Sequence, residues 1–206
     1  MAIGKYEDLN AMQIDVLREV GNIGSGNATT ALSSMVGKLI DIEVPTVEVL
    51  DFNAAIDAVG GPEKVIAGLL IRINGDIDGM IMFLFEQNLI SMIVSTFFGS
   101  EPQDIFTLNE AELSAINEMG NIMAGSYVNA IAQLAGLTID VEPPSLTIDM
   151  LGAIMSVPAI EMGEMGDKLL FIDNNMKIDD TSIQSKMLLL PTIDSLDHLL
   201  EKLGVA

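Results

Sequence analysis

The chain has 206 residues, half of them hydrophobic and only 4% aromatic, with no cysteine. Nine Lys and Arg stand against 30 Asp and Glu, a formal net charge of −21. That balance excludes phosphate-backbone binding, which needs clustered cations, and docking on an anionic membrane. The lack of cysteine excludes disulfides, zinc thiolate sites and thiol catalysis.

Few aromatics mean an aliphatic core, in which the 14 Met read as gap-fillers. The charge fits a monomer kept apart by self-repulsion. The opening residues Met1 to Asp8 lack the charged and apolar regions of a signal peptide. The most apolar window, Met80 to Phe98, is broken by Glu86, Gln87 and Asn88, so it reads as a strand and a buried helix, not a membrane span. A cytoplasmic protein is expected.

In chain order, residues 10–36 predict a long helix, with Asn10 and Gln13 forming a capping box and Gly37 ending it. Leu17, Val20, Gly24, Ala28, Ala31 and Met35 form its expected apolar stripe. Asp15, Glu19, Asn22, Gly26, Thr29 and Ser33 form a polar one. Interior Gly21, Gly24 and Gly26 each cost about 1 kcal/mol against Ala, so close packing or a partner's backbone should use the space. Residues 39–50 alternate like a half-buried strand interrupted at Pro45, and a short helix is expected near 53–59. Strands are expected at 64–73 and 79–85, then a helix at 87–98.

The pattern then restarts. Thr107 to Glu110 has capping-box form, 108–135 predicts a second long helix ended by Gly136, and 138–149 a strand containing Pro143 and Pro144. Residues 151–166 give no clear signal. Strands are expected at 168–172 and 184–190, around turns near 173–175 and 179–180, and a last helix at 194–203. Laid over each other, residues 15–45 and 114–144 share 11 identities in 31 positions. This internal repeat points to a single domain made of two homologous halves, about 1–100 and 101–206, related by a pseudo-twofold axis. The expected fold is α+β: two long helices on a six-stranded, mainly antiparallel sheet.

Within the repeat, Glu19 with Asn22 and Glu118 with Asn121 form the constellation that recurs in register. At i and i+3 each pair shares one helical face. The plain alternative is a solvated polar face, and common descent of the halves would preserve some of it. Other signals fail. Gly21 to Gly26 lacks the strand context and the Lys of a phosphate loop. Asn74, Asp76, Asp78 and Gly79 imitate a calcium loop whose twelfth position is Phe85 instead of Glu. His198 is the sole imidazole and is read as structural.

The pattern Asp/Ser-x3-Glu-x2-Asn-x22-Pro resembles that of the CheC–CheX–FliY phosphatases of bacterial and archaeal chemotaxis. It occurs complete twice, as Asp15, Glu19, Asn22, Pro45 and as Ser114, Glu118, Asn121, Pro144. The resemblance implies hydrolysis of the aspartyl phosphate of the response regulator CheY. It implies that Asn22 and Asn121 orient the attacking water and that Glu19 and Glu118 pair with the receiver's Lys. Asp15 and Ser114 would support that contact. Pro45 and Pro144 would shape the scaffold, and Gly21 and Gly120 would let a partner's backbone approach or pack the helices tightly. No cofactor of its own is implied, since the phosphorylated receiver carries its own Mg²⁺. The resemblance also implies a second partner, the receptor deamidase CheD, and with it the alternative of a phospho-CheY-sensitive adaptor.

Overall fold

Asn10 opens the first long helix, α1 (Ala11–Val36). Its carboxamide accepts from the Gln13 N–H at 3.1 Å, and the Gln13 side chain accepts from the Asn10 N–H at 2.9 Å. Gly37 closes the helix at φ +67°, a left-handed conformation that favours glycine. This computed structural model describes residues 5–162, 168–178 and 181–206.

The single strand expected over 39–50 is two short strands, β1 (Ile40–Ile42) and β2 (Thr46–Asp51), separated around Pro45. Proline has no N–H for the ladder, so pairing lapses there. Then come α2 (Phe52–Val59), the hairpin β3 (Val65–Gly75) and β4 (Gly79–Phe85), and α3 (Gln87–Phe98). The second long helix is α4 (Glu110–Ala135). Its capping box is Asn109 with Glu112, not Thr107 with Glu110, because Thr107 belongs to the preceding 3-10 turn Ile105–Thr107. Residues 138–149 again divide at proline, into β5 (Ile139–Val141) and β6 (Ser145–Met150).

The stretch without a clear signal holds α5 (Leu151–Met162), the counterpart of α2; an internal Pro158 and Gly152 mask its helical pattern. Residues 163–167 lie outside the described residues. The last hairpin, β7 (Lys168–Ile178) and β8 (Thr181–Pro191), is longer than the sequence suggests. Residues 173–175 are extended, not a turn, because Asp173 is paired across the strands with Lys186, whose ammonium donates to its carboxylate. The expected turn at 179–180 lies outside the described residues. The chain ends with α6 (Ile193–Lys202).

Among the described residues all eight strands join one antiparallel sheet, where the sequence pattern predicts six. β8, β4 and β3 run through its middle, with β7 beside β8. The outer strands cross between halves: β1 and β2 pair with β7, whereas β5 and β6 pair with β3. Each half thus completes the other's sheet edge. Met80 to Phe85 of β4 are all buried, so the centre of the sheet is covered on both faces. Among the described residues eight Met lie in the core: Met80, Met82, Met119, Met123, Met155, Met162, Met176 and Met187. Met12 and Met150 are exposed. Among the described residues no helix is long and apolar enough to cross a membrane.

The buried stripe of α1 includes Leu17, Val20, Gly21, Gly24, Ala28 and Leu32. Thr29, expected on the polar face, is buried as well, and Ala31 and Met35 are only half-buried. The N-terminal segment is tied down by Tyr6, whose buried hydroxyl donates to the Pro191 carbonyl at 2.6 Å. Burial pushes its phenol far above the ordinary tyrosine range. Tyr6→Phe is expected to destabilise the fold by about 1 to 2 kcal/mol, because the carbonyl at the end of β8 then loses a buried donor. Urea unfolding of the two proteins checks this; an unchanged midpoint would contradict it.

Candidate functional site

At 100° per residue, Asp15, Glu19, Asn22 and Gly26 fall within an arc of about 60° on α1. The opposite side of the helix is packed. Gly24 faces α4, where an added Cβ would lie 2.4 Å from the ring of Tyr127. Gly21 lies over the sheet, and a Cβ there would come 2.8 Å from Val47 on β2 and 3.5 Å from Ile172 on β7. Gly120 on α4 does the same against Leu69 of β3. The glycines beside the two Asn are therefore spent on bringing each helix down onto the sheet. Neither they nor a helix–helix contact at these positions leaves space for a partner's backbone. Gly26 and Gly125, by contrast, face open space.

Each motif consequently lies on the flank of its helix turned away from the other long helix. The groove between the helices is lined by other residues, among them Ile23, Asn27, Thr30, Ser126, Asn129 and Gln133. Glu19, Glu118 and Asn121 are exposed and Asn22 is half-buried. None of these four side chains has a hydrogen bond or ion pair with another described residue. Helical spacing places the carboxylate and the amide of each pair about 5–6 Å apart at Cβ. Each copy thus presents one acceptor-only group and one group that both donates and accepts, side by side and solvated.

Pro45 is buried and Pro144 half-buried, both in the breaks between short strands, so neither reaches the motif face through a side-chain polar group. Ser114 is exposed and lies on the arc of Glu118 and Asn121. Asp15 is exposed but not free: Arg18 donates to its carboxylate at 2.7 Å. Sequence reasoning gives Arg18 no task, although comparing the copies singles it out, since Asn117 stands at the equivalent place. Asn117 is turned inward, its Oδ1 buried. Among the described residues no group of three or more His, Asp or Glu is arranged to hold a metal ion.

The likeness to known proteins runs through both halves of the chain. The CheC-like family matches residues 12–49 and 112–148, and each window contains one copy of the Glu/Asn pair with its proline. The CheY-P phosphatase CheC of Bacillus subtilis (strain 168) is 31% identical over 205 residues, covering 98% of both chains. The flagellar motor switch phosphatase FliY of the same organism is 28% identical over 190 residues, which are 92% of this chain and 49% of that protein. The crystal structure of Thermotoga maritima FliY superposes with a TM-score of 0.75 at 23% identity, covering 96% of this chain and 98% of that one, which speaks for the fold. Both copies of the motif fall inside the matched windows and a relative runs alongside almost end to end, so this chain belongs to the CheC-like family.

Proposed function

We propose that this chain is a phosphatase of chemotaxis signalling that hydrolyses the aspartyl phosphate of a phosphorylated CheY-type response regulator. The observation that carries the reading is the pair of outward Glu/Asn faces, identical in spacing and unpartnered in both copies. The names of the relatives, CheY-P phosphatase and flagellar motor switch phosphatase, support the substrate.

In an aspartyl phosphate the bond to break joins phosphorus to the receiver's carboxylate oxygen. A water oxygen must attack phosphorus opposite that bond; the carboxylate leaves and the water's protons pass to phosphate and solvent. An amide is too weak a base to take a proton, but its oxygen accepts from the water while its N–H₂ donates. Asn22 and Asn121 therefore order the nucleophile, which is the contribution a Gln makes in GTPases. Glu19 and Glu118, one turn earlier, pair with the Lys of the receiver's site and fix the approach. The Mg²⁺ that neutralises the phosphoryl oxygens is the receiver's own. Exposure of these groups in the free protein is consistent with a site completed only on docking.

The two faces are not equal. Asn121 is exposed where Asn22 is half-buried. Asn22→Ala is accordingly expected to leave at least about half of the turnover, and Asn121→Ala at most about half. Decay of phosphorylated receiver with each variant tests this; a silent Asn121→Ala with a dead Asn22→Ala would reverse the assignment.

A second reading, an adaptor that binds and restrains the receptor deamidase CheD, draws on a different surface. Met150 at the end of β6 and Val157 and Ile160 on α5 expose apolar side chains, Ile160 to 79%. Phosphate release measured with and without CheD separates the readings: slow turnover independent of Asn22 and Asn121 favours the adaptor.

A further inference from the structure

We propose that the Asp15–Arg18 ion pair cancels one carboxylate on the first docking face, leaving Glu19 alone to meet the receiver's cation. The inference rests on the phosphatase reading above and concerns how the first face selects one docking register.

Asp15 and Glu19 are four residues apart on one arc of α1 and both are exposed. Left free, they would offer the receiver's Lys two carboxylates about one helical turn apart, a rise of about 6 Å. Only the pairing through Glu19 places the phosphoryl group beside Asn22. Pairing through Asp15 would shift the receiver by a turn and take the water-ordering amide out of line. Arg18 removes that competitor with its 2.7 Å contact to the Asp15 carboxylate, so that Asp15 serves the first face through Arg18 and not by the direct supporting contact that the resemblance implies. The second face reaches the same end differently. Ser114 replaces the aspartate, so no second carboxylate needs cancelling, and Asn117 replaces the arginine and turns inward. Both faces therefore offer a single unpaired carboxylate, Glu19 or Glu118. The exchange of both residues together between the copies is what a paired function requires: either residue alone would add an unbalanced charge beside the glutamate. Arg18 is thus a positioning residue that acts through Asp15. In a chain with 9 cations against 30 acids, its placement on this face is informative.

The pair is exposed, 54% for Arg18 and 69% for Asp15, so its effect should be modest and sensitive to salt. The test uses full-length protein carrying Glu118→Ala and Asn121→Ala, which silence the second face. On that background, Asp15→Ser and Arg18→Asn are made singly and together, and hydrolysis of phosphorylated CheY-type receiver is measured. Each single change is expected to raise KM about threefold while moving kcat less, and the double change to bring KM back toward the background value. At ~0.5 M salt the single effects should shrink. If turnover on this background is too slow for KM, the same cycle is read as Kd for the receiver held with a phosphoryl-mimicking beryllofluoride. Single changes without effect, or a double change as damaging as the sum of the two, would overturn the proposal. Adding Asn22→Ala to the background isolates the underlying reading: full turnover there means that water ordering by Asn22, on which the proposal rests, has failed.

Discussion

Replacing Gly24 with methionine is expected to destabilise the protein by about 3 kcal/mol, the upper end for forcing extra methylenes into a packed interface. Position 24 is where α1 comes down onto the ring of Tyr127, and even a Cβ there would lie 2.4 to 2.9 Å from three ring atoms. An aromatic ring cannot swing aside as the end of a Leu can. For a chain of this length the loss corresponds to a fall in Tm of about 6 to 12 °C. Tyr127→Ala alone should cost about 3 to 5 kcal/mol through the cavity it leaves. The two changes together should cost less than their sum by about 2 kcal/mol, because the introduced thioether side chain then fills the space of the lost ring. The repeat itself contains that arrangement: Met123 is the counterpart of Gly24, Ala28 is the counterpart of Tyr127, and both line one cavity. Large-for-small at one contact and small-for-large at its mate keep the helix pair filled while the copies diverge. Additive losses in a thermal or urea unfolding series would contradict this packing.

The same comparison explains which features were legible before the fold was known. The long helices were, because Asn10 with Gln13 and the terminal Gly37 and Gly136 are local devices that act through adjacent backbone. The motif faces were, because i, i+3 and i+4 spacing fixes a face whatever the helix packs on. The strand count was not. An alternating run such as 39–50 reads as one strand interrupted at Pro45, and only its partners reveal that it is two strands, both paired with the other half's β7. The exchange of outer strands between halves is a long-range property that no window of sequence contains. Helix α5 was masked by Pro158, and the length of β7 by polar Asp173 and Asn174, whose company in the sheet comes from Lys186 and neighbouring buried groups across the hairpin. Thr29 is buried although its polarity and spacing predict an exposed face, because its position on α1 turns it inward.

At the candidate site, the shared helical face of Glu19 with Asn22 and of Glu118 with Asn121 is legible from their repeated spacing, and their task is the proposal above. The glycines beside them were legible only as needing a neighbour. The neighbour is the sheet, at Val47 and Ile172 for one copy and Leu69 for the other. That contact anchors each Asn on a rigid helix without occupying the outward face. Arg18 carries no signal by itself in the sequence, because a single exposed cation is ordinary. It becomes informative only beside Asp15 and against Asn117 and Ser114.

Substituting both Asn22 and Asn121 with alanine is expected to slow hydrolysis at least about 100-fold, equivalent to about 2.7 kcal/mol of transition-state stabilisation. Neither side chain has a hydrogen bond or ion pair within the described protein, so folding stability should change by no more than about 0.5 kcal/mol. Alanine is in addition the better helix former. Binding of the receiver should survive, since Glu19 and Glu118 remain. Loss of rate with retained fold and retained binding separates ordering of the water from docking and from scaffold damage.

The most direct test is the rate of phosphate release from a phosphorylated CheY-type receiver in the presence of the Asn22→Ala/Asn121→Ala protein, compared with wild type at equal concentration. The account predicts a rate indistinguishable from that of the receiver alone. Release at the wild-type rate would contradict it.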